Sequence, residues 1–309
     1  MCRAYLAQAH LSAYAAAMAE PSKAVLITGC SSGIGHASAL RLARSGWSVY
    51  ASARKLESIA ELAEAGCHTL ALDVTDEESM RAAVTTVEQA EGAVGVLINN
   101  AGYSQSGAIE TVPIAAVRRQ FETNVFGLVR LTQLVLPQMR AQRWGKVVNL
   151  GSMGGRLTFP GGGHYHATKY ALEAISDALR FELRGFGIDV ILLEPGLITT
   201  EFGEAATASM TDIGGNIGDT GSDATNTDPY EHFNATVGAV TAGAYQGPMR
   251  LLGAGPERVA EVIERVITRR RAPARRTITA SAKLSIATRR LLSDRVWDRA
   301  MRAQFPQPR

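Results

Sequence analysis

Seven short apolar β-runs alternate along this chain with amphipathic stretches of helical length, and few features restrict a fold more tightly. The runs fall at 24–28, 48–52, 68–72, 94–99, 146–150, 189–194 and 277–280. Helical periodicity lies between them, near 34–45, 56–65, 76–91, 113–142, 165–186 and 256–270. Strands that take turns with helices must lie parallel, because each connection has to cross the sheet and return. The expectation is an α/β fold: a doubly wound parallel sheet of about seven strands with helices on both faces. No internal repeat or second core interrupts the pattern, so residues 22–309 are read as a single domain. With 309 residues, 46% of them hydrophobic and 20% charged, the chain has enough apolar material for one large core.

Two segments depart from the alternation. Residues 201–255 are rich in Gly, Thr, Ala and Asp and read as a lid excursion over the sheet edge. Residues 1–21 are Ala-rich and resemble a signal peptide poorly, since Gln8, His10 and two tyrosines break the apolar run. Met18 is read as the natural start, and the extension before it as carrying no function. Three cysteines, Cys2, Cys30 and Cys67, are too few and too scattered for a disulfide framework or a metal cluster. That usage suits a reducing, cytoplasmic setting. No run reaches a membrane span.

The strongest chemical signal is Thr28-Gly29-Cys30-Ser31-Ser32-Gly33-Ile34-Gly35, directly after the first strand and opening the first helix. Glycines let the backbone turn tightly and approach a ligand, and the helix start directs free N–H groups at a diphosphate. A Gly-rich turn alone is weak evidence, but this one has a strand before it and a helix after it. Its spacing is Gly29-xxx-Gly33-x-Gly35 rather than G-x-G-x-x-G. Further on come Asp73-Val74, Asn99-Asn100-Ala101-Gly102, Asn124, Ser152, Tyr165-xxx-Lys169 and Pro195-Gly196-Leu197-Ile198-Thr199-Thr200. In kind, order and spacing these marks resemble the short-chain dehydrogenase/reductase family in its single-domain branch, over about residues 22–200, and imply a Rossmann-type sheet.

Independently of that resemblance, Tyr165 and Lys169 lie at i and i+4 of a helical stretch and share a face. A tyrosine working near neutrality must lose about 3 pKa units, roughly 4 kcal/mol, and a neighbouring ammonium is a suitable cause. A solvated Tyr–Lys pair is the bland alternative; Gly161-Gly162-Gly163 beforehand and Ser152 at the end of strand five tip the balance. The resemblance implies specific roles. Tyr165 would exchange a proton with the substrate oxygen, Ser152 would hydrogen-bond that oxygen, and Lys169 would bind the nicotinamide ribose and lower the Tyr165 pKa. Asn124 would hold a water in a proton relay, or it could simply satisfy backbone where the helix distorts.

The cofactor surface implied by the same marks comprises Thr28, Gly29, Ser32, Gly33, Ile34, Gly35, Asp73, Val74, Asn100, Ala101, Gly102, Pro195, Gly196, Ile198 and Thr200, together with Tyr165 and Lys169. Asp73 would fix the adenine amino group, although a helix N-cap role competes, with Thr75 or Asp76 the better caps. Where NAD-dependent relatives place aspartate at the end of strand two, this chain has Ala53, followed by Arg54. An acid there would repel a 2′-phosphate and an arginine can pair with it, so NADP(H) is expected over NAD(H). No metal is expected: His164 and His166 flank Tyr165 at i and i+2, point apart, and are read as cleft wall or surface. Cys30 sits beside a helix start, where a thiol can acidify, but small-residue packing is the preferred reading.

Gly154, Leu157, Phe159 and Pro160 are expected to line an apolar substrate pocket for a lipophilic alcohol or ketone, in a stretch similar to the hydroxysteroid and retinol dehydrogenase branches. The alternatives in other classes are an NADP(H)-binding sensor without turnover and a peripheral membrane reductase. From Arg265 onward, 13 Lys/Arg face only Asp294 and Asp298, a local charge of +11 that leaves −8 for the rest of a chain at +3. These arginines alternate with Leu, Ile, Val and Trp, so nucleic acid is not the expected partner. Residues 283–305 are read as one basic amphipathic helix, folded over the cleft in preference to lying on an anionic membrane surface. The resemblance also implies a homodimer or homotetramer pairing the helices near 113–142 and 165–186.

Overall fold

The computed structural model describes residues 20–200, 229–246, 251–305 and 307–308. The reading of residues 1–21 therefore lies almost wholly outside the described residues, as does 201–228 of the expected lid. A seven-stranded, all-parallel sheet forms the centre, in the order β3-β2-β1-β4-β5-β6-β7. Its strands are β1 (Val25–Ile27), β2 (Val49–Ala53), β3 (His68–Ala71), β4 (Val96–Asn99), β5 (Gly145–Leu150), β6 (Ile188–Glu194) and β7 (Arg275–Thr277).

Both faces of the inner strands β1, β2, β4, β5 and β6 are buried, which is why most of them read as continuous apolar runs, whereas the edge strands β3 and β7 are partly exposed. Val25, Ile27, Ile98, Val148 and Ile191 point to one side, where α1 (Gly33–Arg44) brings Leu42 and α8 (Pro256–Ile267) brings Ile263. Leu26, Leu97, Val147 and Val190 point to the other, against Val84 of α3 (Glu77–Glu91) and Met139 of α5 (Leu128–Ala141). The period of two along each strand divides one apolar run between two cores. Asp76 caps α3, accepting hydrogen bonds from the Glu78 and Ser79 amides, which leaves Asp73 for another role.

Three expectations need correction. The helix near 113–142 is unbroken but not uniform: α4 (Ile114–Phe121) passes through a π-turn over Glu122–Gly127 into α5, where Asn124 is held by the backbone of Tyr103. The seventh strand lies at Arg275–Thr277 instead of 277–280, since Thr279 caps α9 (Ala280–Leu291) by accepting from the Ala282 amide. The tail is two helices, α9 and α10 (Asp294–Arg302), broken where Leu292 turns to extended backbone. Within the expected lid, α7 spans Glu231–Gln246. Helix α6 (Gly163–Leu183) and the short α2 (Ala60–Glu64) complete the set. No helix among the described residues is long and apolar enough to cross a membrane.

Candidate active site

The strand order reverses between β1 and β4, and a doubly wound sheet opens a crevice at the carboxyl ends of its strands at such a point. A cavity of about 1430 Å³ lies there. That exceeds the roughly 300–1,000 Å³ of an ordinary small-molecule pocket and leaves room for two ligands.

Its floor is the turn after β1. Gly33 has φ +58°, and a Cβ placed on it would stand 3.2 Å from Thr200 Cγ2. Gly35 is more restrictive: its Cβ would stand within contact of backbone, 2.9 Å from the Gly29 carbonyl carbon. Ser32 precedes α1 in extended conformation without a side-chain cap, so the first-turn amides keep no side-chain acceptor among the described residues. Thr28 acts from beneath the surface. Its hydroxyl oxygen accepts from the Asn100 and Ala101 amides at 3.0 and 2.9 Å, and Asn100 Nδ2 donates back to the Thr28 and Gly29 carbonyls, both at 2.9 Å. A glycine cradle with open helix amides fits a dinucleotide diphosphate.

Gly29, Ser32, Gly33, Ile34, Ala53, Arg54, Asp73, Val74, Asn100, Ala101 and Gly102 all line the cavity, whereas Thr28 and Gly35 lie behind its wall. No acid occupies the end of β2, and neither Arg54 nor the nearby cavity-lining Arg119 has an ion-pair partner among the described residues. Cys30 is fully buried, and burial pushes its thiol up to about 12. It is a packing residue, not a reactive thiolate.

At the other end, Pro195, Gly196, Ile198 and Thr200 line the cavity with Ser152, Tyr165 and Lys169. Lys169 is buried, its Nζ 5.6 Å from the centre of the Tyr165 ring and 2.7 Å from the Leu150 carbonyl, to which it donates. Burial lowers its pKa to about 8. That still lies above neutral pH, which favours the ammonium form. Ser152 Oγ accepts from the Gly154 amide at 3.0 Å and so caps the short 3₁₀ turn Met153–Gly155.

Asn124 is almost fully buried. Its Nδ2 donates to the Tyr103 carbonyl at 2.9 Å and to Thr168 Oγ1 at 3.2 Å, while Oδ1 accepts from the Tyr103 amide at 3.1 Å. The side chain thus satisfies backbone at the helix distortion. His166 forms part of the cleft wall: the Phe159 amide donates to Nε2 at 3.3 Å, which leaves the proton on Nδ1 to donate to the Gly154 carbonyl at 3.0 Å. Burial lowers its pKa, so the neutral ring pins the loop between β5 and α6. No His, Cys, Asp or Glu group suited to a metal occurs among the described residues.

Gly154, Phe159 and Pro160 face the cavity as expected. Leu157 does not: it is 0% exposed and packs inward, so its place in the pocket wall is corrected. The residues missed by sequence are mostly distant ones. Tyr103, Val237, Val240, Ser285 and Phe305 also line the cavity, the last from the far end of the chain. Helical period places Val237 and Val240 on one side of α7, but nothing local aims that side at the sheet.

A glycine-cradled crevice at the switch point of a parallel sheet, with a tyrosine and a buried lysine at one end, defines a dinucleotide-dependent oxidoreductase. The chain belongs to the short chain dehydrogenase family, whose pattern matches residues 23–211. It is 41% identical over 179 residues to the 3-ketodihydrosphingosine reductase of Bacteroides thetaiotaomicron, covering 58% of this chain and 65% of that one. It is 42% identical over 185 residues to the NADPH-dependent 3-dehydrocapnine reductase of Ornithobacterium rhinotracheale, covering 57% and 65%. A solved short-chain dehydrogenase from Streptomyces avermitilis superposes with a TM-score of 0.72 at 33% identity, covering 92% of this chain and 99% of that one.

Proposed function

We propose that this protein is an NADP(H)-dependent oxidoreductase that interconverts a secondary alcohol and a ketone, or an aldehyde and its alcohol, on a lipophilic small molecule. The observation that carries the reading is the buried Lys169 ammonium beside the Tyr165 ring, in one cavity with Ser152. The bound nicotinamide supplies or accepts the hydride.

The protein's own residues handle the oxygen. In the reducing direction Ser152 donates a hydrogen bond to the carbonyl oxygen while Tyr165 delivers the proton it needs as negative charge develops. Lys169 makes that donation easier, because an adjacent ammonium stabilises the tyrosinate left behind. With the cofactor bound, Lys169 would also hold the nicotinamide ribose, and Ile198 and Thr200 would hold the carboxamide. Asn124 keeps the Tyr103 wall in place through its bonds to that backbone, and it is the residue that would hold a water of a proton relay. At the far end Asp73 and Val74 would receive the adenine, and Arg54 would pair with a 2′-phosphate, with no acid at Ala53 to repel it.

Support for a lipophilic substrate comes from the apolar wall of Phe159, Pro160, Val237 and Phe305, and support for a ketone from the relative named a 3-ketodihydrosphingosine reductase. The tail closes this wall, with Trp297 6.1 Å from the Phe159 ring and Phe305 buried. Exposed Ile114, Phe126, Tyr170 and Phe181 on α4, the π-turn and α6 support assembly through those helices.

Tyr165→Phe is the decisive variant. It keeps the ring and removes the proton donor, so ketone reduction followed at the nicotinamide absorbance should fall by about 10²- to 10⁴-fold while NADPH still binds. Near-parental turnover would sink the reading.

A further inference from the structure

Behind the cavity lies a cluster of charges that this chemistry leaves unused. Glu173 sits on α6 one turn after Lys169, and Glu194 ends β6 immediately before Pro195-Gly196. Their side chains are only 11% and 4% exposed. Arg156, the residue after the Ser152 turn, reaches both: its Nη1 lies 3.3 Å from Glu194 Oε1 and 3.5 Å from Glu173 Oε2. Arg275, opening β7, donates through Nε to Glu173 Oε2 at 2.9 Å and through Nη2 to Asp177 Oδ2 at 2.5 Å. Thr277 Oγ1 donates to Glu194 Oε2 at 2.6 Å.

Charges taken out of water this far rarely add net stability, and well-packed apolar residues would often do as well. What the cluster does provide is connection. Arg156 ties the Ser152 turn to the helix that carries Tyr165 and Lys169 and to the strand that leads into the Pro195–Thr200 segment. The same turn already touches both. The Met153 amide donates to the Pro195 carbonyl at 2.8 Å, and a Cβ on Gly155 would lie 2.8 Å from the Lys169 carbonyl oxygen. Beyond β7, the Gly196 amide donates to Thr279 Oγ1 at 3.1 Å and the Leu197 amide to Ser281 Oγ at 3.2 Å.

We propose that Arg156, between Glu173 and Glu194, is a positioning residue that sets the Ser152 hydroxyl against Tyr165 and Lys169, with Arg275 holding Glu173 from β7 and standing 3.9 Å from Glu194. The inference rests on the oxidoreductase reading above for its catalytic consequence, but not for its structural one. A planar guanidinium suits the task because its fixed fork can face two carboxylates at once. Without it, two buried carboxylates share Arg275 alone and repel each other, and the turn loses its anchor.

The test is Arg156→Gln in the full chain, read first by amide hydrogen exchange. Exchange at 153–156 and at 196–197 should quicken at least about tenfold, with 25–27 and 96–99 unchanged. On a ketone that the parent reduces, kcat should fall about tenfold while the NADPH Kd stays within about twofold, as for a displaced catalytic group. If Arg156→Gln fails to fold, the charge-balanced Arg156→Gln/Glu173→Gln chain replaces it, and the same local quickening is expected. Unchanged exchange in the two segments, or a rise spread evenly over all segments, overturns the proposal, as does an intact kcat with only KM altered. A parent inactive on every ketone would defeat the oxidoreductase reading alone, because the exchange result still decides the positioning role.

Discussion

The two ends of the cavity are built in different ways. At the cofactor end, around β1, β2 and β4, the wall is largely backbone: a glycine turn, open helix amides and the Asn100-Ala101-Gly102 loop, all within a few residues of strand ends. At the substrate end the wall is side chains drawn from α6, α7, α9 and the last residues of the tail. Backbone geometry tolerates almost no change in residue type, whereas an apolar wall accepts many residues of the right bulk. A ligand common to many enzymes can thus be met by a constant end and a variable ligand by an adaptable one.

The sharpest way to test the cofactor end is Arg54→Ala. Loss of a charge-assisted contact to a 2′-phosphate should weaken NADPH by about 10- to 100-fold and leave NADH within about twofold, measured by fluorescence titration. Equal loss for both would make Arg54 a bystander. At the substrate end a smaller effect is expected. Phe305→Ala removes part of an apolar contact worth about 1.5–3 kcal/mol, so KM for bulky ketones should rise about three- to tenfold with NADPH affinity unchanged. A shift in NADPH affinity instead would mean that the tail serves the wrong end.

The smallest effect lies between the two ends. Burial and the neighbouring Glu194 raise Glu173 to about 7, against the opposing pull of Arg275. An acid whose pKa is higher folded than unfolded takes up a proton on folding between the two values. Stability is then greatest below the unfolded value and is lost as pH rises toward 7. With Arg156, Arg275, Glu194 and Asp177 all facing it, the loss is at most about 1.4 kcal/mol per pH unit. Glu173→Gln should flatten the fall in Tm between pH 5 and pH 7. An unchanged fall in the variant would show that Glu173 is already ionised in the folded protein throughout that range.

The alternation of strands and helices announces the sheet, and Gly29, Gly33 and Gly35 announce the turn, because both signals are local and periodic. Ser152, Tyr165 and Lys169 were legible for the same reason, each having a fixed place relative to a strand end or a helix turn. The bonds of Asn124 to Tyr103 and Thr168 join three segments far apart in the chain, and no local pattern announces them. Leu157 was misplaced because an apolar residue beside a pocket and one beneath it look alike in a sequence.

What the sequence by itself determined is therefore the parallel sheet, the glycine turn after β1 and the tyrosine–lysine pair, since each depends on residues a few positions apart whose spacing sets their geometry. Only the tertiary structure decided that Arg156 and Arg275 meet the same two carboxylates 38 and 102 residues away at most, and that Phe305 returns to a cavity opened by Gly29. Those meetings arise from how helices pack on the sheet, and no local pattern of side chains encodes the distance between two elements that the chain visits at different times.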